Sequence, residues 1–211
     1  MNNYILSEYD KFKTFMKYTD LPEFETVYNE NAEYTARASF EDKTTLCIGK
    51  GLFARSADEK TAVLFREFTR IHDRHILSGD VRLYAEYHAA QVSTLFLDSK
   101  DKIDAADHII AMIMSYAKFH DYFMANPSPK AFRYLKNYYM NILGSIDALN
   151  QRSEYHYPVP KFCTDIDTKM SDIYKVLTPL QYKEIPSQEI LQQIRDIEMK
   201  TNKKIKLELF G

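Results

Sequence analysis

The sequence predicts a mostly helical α+β protein, with an N-terminal α+β unit and a helical C-terminal half. Residues 33–40 alternate in character, and a short turn and the β-branched, apolar segment 44–49 follow them, which together indicate an antiparallel hairpin. From Asp101 onward, apolar residues recur at helical spacing in long segments. The simplest division places an α+β unit at residues 1–100 and a helical extension at residues 101–211, packed together as one compact domain.

The other elements follow from signals that start and stop helices. Ser56 and Glu59 fit a capping box, in which each side chain satisfies the other residue's backbone N–H. Gly79 suits the left-handed position that ends a helix. Two long antiparallel helices are predicted between Asp101 and Gln151, with an extended connector at residues 155–162. Further helices are predicted at residues 7–18, 57–77, 81–97, 165–177 and 187–201, and a terminal strand at residues 204–210.

The composition is ordinary for a globular protein, with 45% hydrophobic and 27% charged residues. The net charge of −2 gives no general reason to expect nucleic acid or an anionic membrane as the partner. Cys47 and Cys163 lie in neither a CxxC nor a CxxH spacing, so neither a disulfide framework nor a cysteine-based zinc site is predicted. The charged N-terminal segment argues against a signal peptide or a membrane span. We therefore expect a cytoplasmic protein with no membrane partner.

The predicted helix 57–77 contains REFTR, residues 66–70, and the next helix contains YAEYHAA, residues 84–90. These segments resemble the ImmA/IrrE-type zinc peptidases, a family often found in phages and mobile elements. The resemblance covers about residues 40–92 and implies a zincin-like N-terminal unit. It places Glu67 at the vestigial general-base position and Glu86 at the third-ligand position, with Ala89 three residues further on.

Arg66 and Arg70 fall on the two histidine positions of the family's HExxH motif. A guanidinium is always protonated and has no lone pair to offer a metal. No metal and no cofactor are therefore expected, and zinc would be expected only if both arginines were histidines. Instead, Arg66, Arg70 and Glu86 are predicted to form an ion cluster with Glu67 that joins the two helices. The alternative interpretation is a solvated charged face of a helix.

The predicted function is that of a catalytically inactive zincin-like protein that binds a macromolecular partner. The family resemblance suggests a phage-encoded regulator or inhibitor of host defence. A protein partner is favoured, although the tyrosine-rich segment 133–141 also suits stacking on nucleic acid. Two alternatives remain open. One is a metallopeptidase whose zinc ligands were substituted, as an altered copy of an active HEFTH parent, and the other is a nucleic-acid-binding regulator.

Three further predictions concern side chains outside the REFTR motif. His72 and His75 are three residues apart and could share a metal with His88, but a surface pair of histidines is the favoured interpretation. Asp73 lies on the same helix face as Arg66, seven residues further on, and is expected to add to the ion cluster. A stripe of methionines is expected in the core: Met112, Met114 and Met124.

Overall fold

The computed structural model describes residues 2–152, 156–160, 165–180 and 182–209. Within them the chain is mostly helical and contains one small sheet, so the α+β class is confirmed. The elements, in chain order, are α1 Asn2–Met16, β1 Glu25–Asn29, β2 Ala36–Phe40, β3 Thr44–Gly49, a short 3₁₀ turn Lys50–Leu52, α2 Ala57–Ile76, α3 Arg82–Asp98, α4 Ala105–Ala125, α5 Pro129–Asn150, α6 Asp165–Leu177 and α7 Gln188–Leu209.

The sheet has the strand order β1-β3-β2. The predicted hairpin is confirmed, because β2 and β3 pair antiparallel with Ala38 opposite Leu46. The sequence did not predict β1, which pairs parallel with β3 and places Val27 opposite Cys47. The half-buried residues of β1 are Thr26 and Tyr28, whereas the aliphatic Val27 is exposed. The segment therefore lacks the alternation of apolar and polar residues that predicts a strand facing the core.

Local capping signals set the bounds of α2. Ser56 accepts a hydrogen bond from the Glu59 N–H at 3.4 Å, and the Glu59 carboxylate accepts one from the Ser56 N–H at 2.9 Å. The predicted capping box is therefore confirmed. Beyond the end of the helix, Gly79 adopts the predicted left-handed conformation with φ of +81°.

The predicted terminal strand is wrong for residues 204–209, because α7 continues through Leu209. Each residue added to an existing helix gains one backbone hydrogen bond, whereas a strand needs a partner strand to pair with. Residue 210 lies outside the described residues. The predicted connector at residues 155–162 has no regular structure at residues 156–160, and its remaining residues also lie outside the described part.

In the part of the chain that the structure describes, two hydrophobic clusters form the core, and α3 contributes to both. Leu83 and Tyr87, near its N-terminus, pack in a cluster with α4 to α7, and Phe96, near its C-terminus, packs with α1, α2 and β3. The approach of α5 to α3 is close, since a Cβ at Gly144 would lie 2.0 Å from the carbonyl oxygen of Tyr87. The division of the chain at residue 100 stays a prediction.

Among the described residues, no helix combines the length and the apolar character that crossing a bilayer requires.

Candidate functional site: an ion cluster between helices α2 and α3

Four charged side chains meet where α2 and α3 face each other. Arg66, Glu67 and Arg70 belong to α2, and Glu86 lies in the second turn of α3. Residues four apart lie on the same side of a helix, so both arginines face α3. The structure therefore brings together all four residues that the sequence analysis singled out, while their functional role stays a prediction.

Arg70 is the centre of this ion cluster. One terminal nitrogen donates to Glu67 Oε1 and the other donates to Glu86 Oε2. The cluster is largely shielded from water, because the side chains of Arg70, Glu67 and Glu86 are 18%, 4% and 16% exposed. Burial lowers the pKa of Arg70, but the two carboxylates outweigh it and hold that pKa above its ordinary value. Arg70 is therefore a permanent cation that joins the two helices.

The second oxygen of Glu67 is engaged by the sheet. Oε2 accepts a hydrogen bond from the backbone N–H of Ala38 at 2.9 Å. The Gly49 N–H donates to the carbonyl of Thr35, just before β2, which points that carbonyl toward β3. Backbone groups alternate in direction along a strand, so the N–H of Ala38, three residues after Thr35, points away from β3 toward the free edge of the sheet. A free strand edge is where an extended peptide could pair. Glu67 therefore accepts from the N–H of the central residue of β2, and both of its carboxylate oxygens are hydrogen-bonded.

Arg66 is held much less tightly than Arg70. Its nearest carboxylate oxygen belongs to Glu86 and lies 3.9 Å away, and that oxygen already accepts from Arg70. The side chain is 34% exposed. Its Nε is buried and has no hydrogen-bond partner within the described part of the chain. Burial and the neighbouring Arg70 lower the pKa of Arg66, although a guanidinium stays charged at neutral pH.

The chemistry that this cluster offers is charge pairing between helices. Neither arginine has a lone pair for a metal. In the residues that the structure describes, no group of three His, Cys, Asp or Glu side chains is placed to hold a metal ion. The Glu67 carboxylate is oriented by Arg70 and Ala38, which donate to its two oxygens.

Asp73 belongs to a separate buried cluster, which corrects two predictions. Asp73 and His72 are 1% and 3% exposed, so the assignment of His72 to the surface is wrong, whereas His75 is exposed as expected. Asp73 Oδ2 lies 2.8 Å from Nδ1 of His88 and does not join the arginines. Asp73 lies on the same face of α2 as Arg66, but its carboxylate pairs with the ring of His88 on α3 and not with an arginine.

His88 is bonded through both ring nitrogens. Nε2 lies 2.6 Å from the carbonyl oxygen of Tyr182, which is part of the segment before α7. A carboxylate and a carbonyl can only accept, so both ring nitrogens donate and His88 is an imidazolium. Burial lowers the pKa of His88, but Asp73 outweighs it and raises the pKa above its ordinary value. No sequence pattern predicts this contact, because Tyr182 is 94 residues away from His88.

The prediction that three methionines of α4 lie in the core is wrong for Met114 and Met124, whereas Met112 packs against the core. Met114 and Met124 are 59% and 53% exposed, and Met112 is half-buried. The fully buried residues of α4 recur every seventh position, so the helix contacts α5 along a narrow seam: Ile109, Tyr116 and Phe123. Outside this seam the helix exposes five large apolar side chains, here together called the α4 face: Ile110, Met114, Phe119, Tyr122 and Met124.

Comparison with family models, with curated protein sequences and with solved structures finds no match to this chain.

Proposed function

We propose that this chain is a catalytically inactive zincin-like protein that binds a protein partner through the α4 face. The observation that supports the loss of catalysis is the position of Arg70, whose guanidinium bridges Glu67 and Glu86. In the peptidases that REFTR resembles, the metal lies between these positions. A cation of the protein's own thus stands where the metal would link the two helices. A role as a phage-encoded regulator or inhibitor of host defence rests on the resemblance alone.

The α4 face supports protein binding. Single exposed apolar residues are ordinary, but five large ones on one helix amount to the kind of exposed apolar surface that marks interaction sites. Methionine and aromatic side chains are enriched in interface cores, and methionine adapts to varied partners. The helix carries only Asp107, Lys118 and Asp121 as charged residues. One cation beside two anions does not favour a polyphosphate backbone, so a protein partner with an apolar groove or helix fits this face better than nucleic acid.

The zincin-like arrangement is tested by restoring the ligands. The double variant Arg66→His, Arg70→His would supply two imidazoles on one helix face beside Glu86, which leaves one position for water. Zinc should raise the melting temperature of this variant and leave that of the parent unchanged, because binding to the folded state stabilises it. The double change to glutamine at the same positions is the control. A folded histidine variant that binds zinc no better than the glutamine control, measured by calorimetry, would show that the resemblance is misleading.

The α4 face is tested with one charge placed on it. Affinity purification from extracts of the source organism should recover a protein with the parent chain and lose it with Met114→Glu. The matched control is Met199→Glu on α7, because Met199 is 60% exposed and lies outside the α4 face. Recovery of nuclease-sensitive nucleic acid would favour the nucleic-acid-binding alternative. Equal recovery of the partner by both variants would remove the α4 face from the proposal.

A further inference from the structure

An open cleft of about 410 Å³ lies among α2, α3, α4 and α5, beside the ion cluster. This is the size of a site for a small molecule. Apolar side chains form part of its lining and include Val63, Leu97 and Met112. Its polar lining includes Arg66, His108 and Asn141, which come from three different helices.

Each of these three polar residues has a buried atom without a partner within the described residues: Nε of Arg66, Nε2 of His108 and Oδ1 of Asn141. Asn141 is only 6% exposed. Buried polar atoms in folded proteins are almost always hydrogen-bonded. Three unpartnered atoms around one cleft therefore indicate that the cleft binds a polar molecule.

The two arginines of the cleft differ in how their donors are used. Arg55 at its edge lies 3.8 Å from the carboxylate of Glu59, so these two charges offset each other. Within the described part of the chain, Arg66 makes no hydrogen bond to a carboxylate, because the Glu86 oxygen that lies 3.9 Å from it accepts from Arg70. A guanidinium presents a planar fork of donors that matches a carboxylate. The donors of Arg66 that no carboxylate of the described residues accepts are therefore suited to the carboxylate of a ligand.

The other two polar atoms define the rest of the ligand. The carbonyl oxygen of Asn141 can only accept, so the ligand must bring an N–H or O–H donor. Burial lowers the pKa of His108, which favours a neutral imidazole that adds no second positive charge. Val63, Leu97 and Met112 provide contacts for a hydrocarbon body.

We propose that this cleft binds a small carboxylate that carries an adjacent N–H or O–H donor on an apolar body, as apolar amino acids and hydroxy acids do. The carboxylate pairs with Arg66, the donor bonds Asn141, and the body contacts the apolar lining. This site goes beyond the proposed partner binding and does not rest on it, because the α4 face lies on other residues of α4. Loss of one function would leave the other intact.

The test uses L-phenylalanine and L-phenyllactate as probes, which separate the amino acid from the hydroxy acid. Calorimetry on the full chain should show saturable binding of at least one of them. L-phenylalaninamide lacks the carboxylate and 3-phenylpropanoate lacks the donor. Each should bind at least about tenfold more weakly than the probe that binds. Absence of saturable binding of both probes at millimolar concentration would overturn the proposal. Equal binding of the amide would overturn the role of Arg66.

A matched pair of variants locates the binding in this cleft. Arg66→Gln should weaken binding by about 10–100-fold, the usual effect of losing a charged hydrogen-bond partner. Arg55→Gln changes a paired arginine at the edge of the same cleft and should weaken binding by less than about threefold. Equal effects of the two changes would show general charge attraction and contradict the site.

A measurement on the parent protein avoids any dependence on how the variants fold. With ¹³C-labelled methionine methyl groups, the probe that binds should shift the NMR signal of Met112, which lines the cleft, and leave that of Met199 unchanged. Binding without a shift at Met112 would place the ligand elsewhere on the molecule and contradict the proposal.

Discussion

Removal of Arg70 should destabilise this protein more than removal of any ordinary surface arginine. Arg70 donates to Glu67 and to Glu86, and the Glu67 side chain is only 4% exposed. In Arg70→Met, Glu67 keeps its bond from Ala38 but loses the only cation of the described residues that forms a salt bridge with it. Breaking a buried ion pair on one side costs roughly 3–5 kcal/mol, because the partner charge stays buried and uncompensated.

This cost is large beside the about 5–15 kcal/mol that stabilises a typical domain. For a chain of this length, 1 kcal/mol lowers the melting temperature by about 2–4 °C, so a loss of roughly 6–20 °C is expected. Urea unfolding followed by circular dichroism measures the change, because the fold is mostly helical. Arg74→Met is the matched control, one turn further along α2. Arg74 is exposed and stands 5.0 Å from the ring of Phe40, a contact worth about 0.5–1 kcal/mol.

A double-mutant cycle separates lost charge pairing from lost packing. Glu67→Gln removes the negative charge, and its amide oxygen can still accept from Ala38. The double variant Glu67→Gln, Arg70→Met should therefore lose less free energy of unfolding than the two single variants lose together, by about 0.5–3 kcal/mol. If Arg70→Met costs no more than the Arg74→Met control, the cluster behaves as an exposed surface pair and the reasoning fails.

Three further results are expected. A Gly-to-Ala change inside a helix normally stabilises it by about 1 kcal/mol. Gly144→Ala should instead lower the free energy of unfolding by about 1–3 kcal/mol in a denaturant titration, because the added Cβ would lie 2.0 Å from the Tyr87 carbonyl oxygen. Stabilisation by this change would contradict the close approach of α5 to α3. The pKa of His88 is raised in the folded state, so the pairing with Asp73 stabilises fully below the unfolded pKa of about 6.5 and is lost as pH rises through the folded pKa. The urea midpoint should thus fall more between pH 6 and pH 9 in the parent than in His88→Gln, and identical falls would refute the imidazolium. Ser56→Ala should cost about 1 kcal/mol through loss of the cap, whereas Ser56→Thr should retain most of the stability in the same titration.

The sequence by itself determined the features that depend on neighbouring residues. The hairpin of β2 and β3 follows from alternation around a short turn, and the start of α2 follows from the reciprocal bonds of Ser56 and Glu59. Arg66 and Arg70 share a helix face because they are four residues apart, and the second turn of the next helix carries Glu86. These relations are set by helix and strand periodicity, which can be read within a short segment.

Only the tertiary structure decided which side chains are buried and what they contact. Periodicity gives no distance between segments far apart in sequence, so neither the pairing of β1 with β3 nor the bond from Ala38 to Glu67 was visible. Burial likewise depends on which other elements cover a helix. His72 is buried because Tyr18 stacks on its ring with centroids 3.8 Å apart, whereas Met114 is exposed because α4 contacts α5 only along a narrow seam. The cleft could not be predicted for the same reason: its polar atoms come from three helices, and packing alone sets how closely these helices approach.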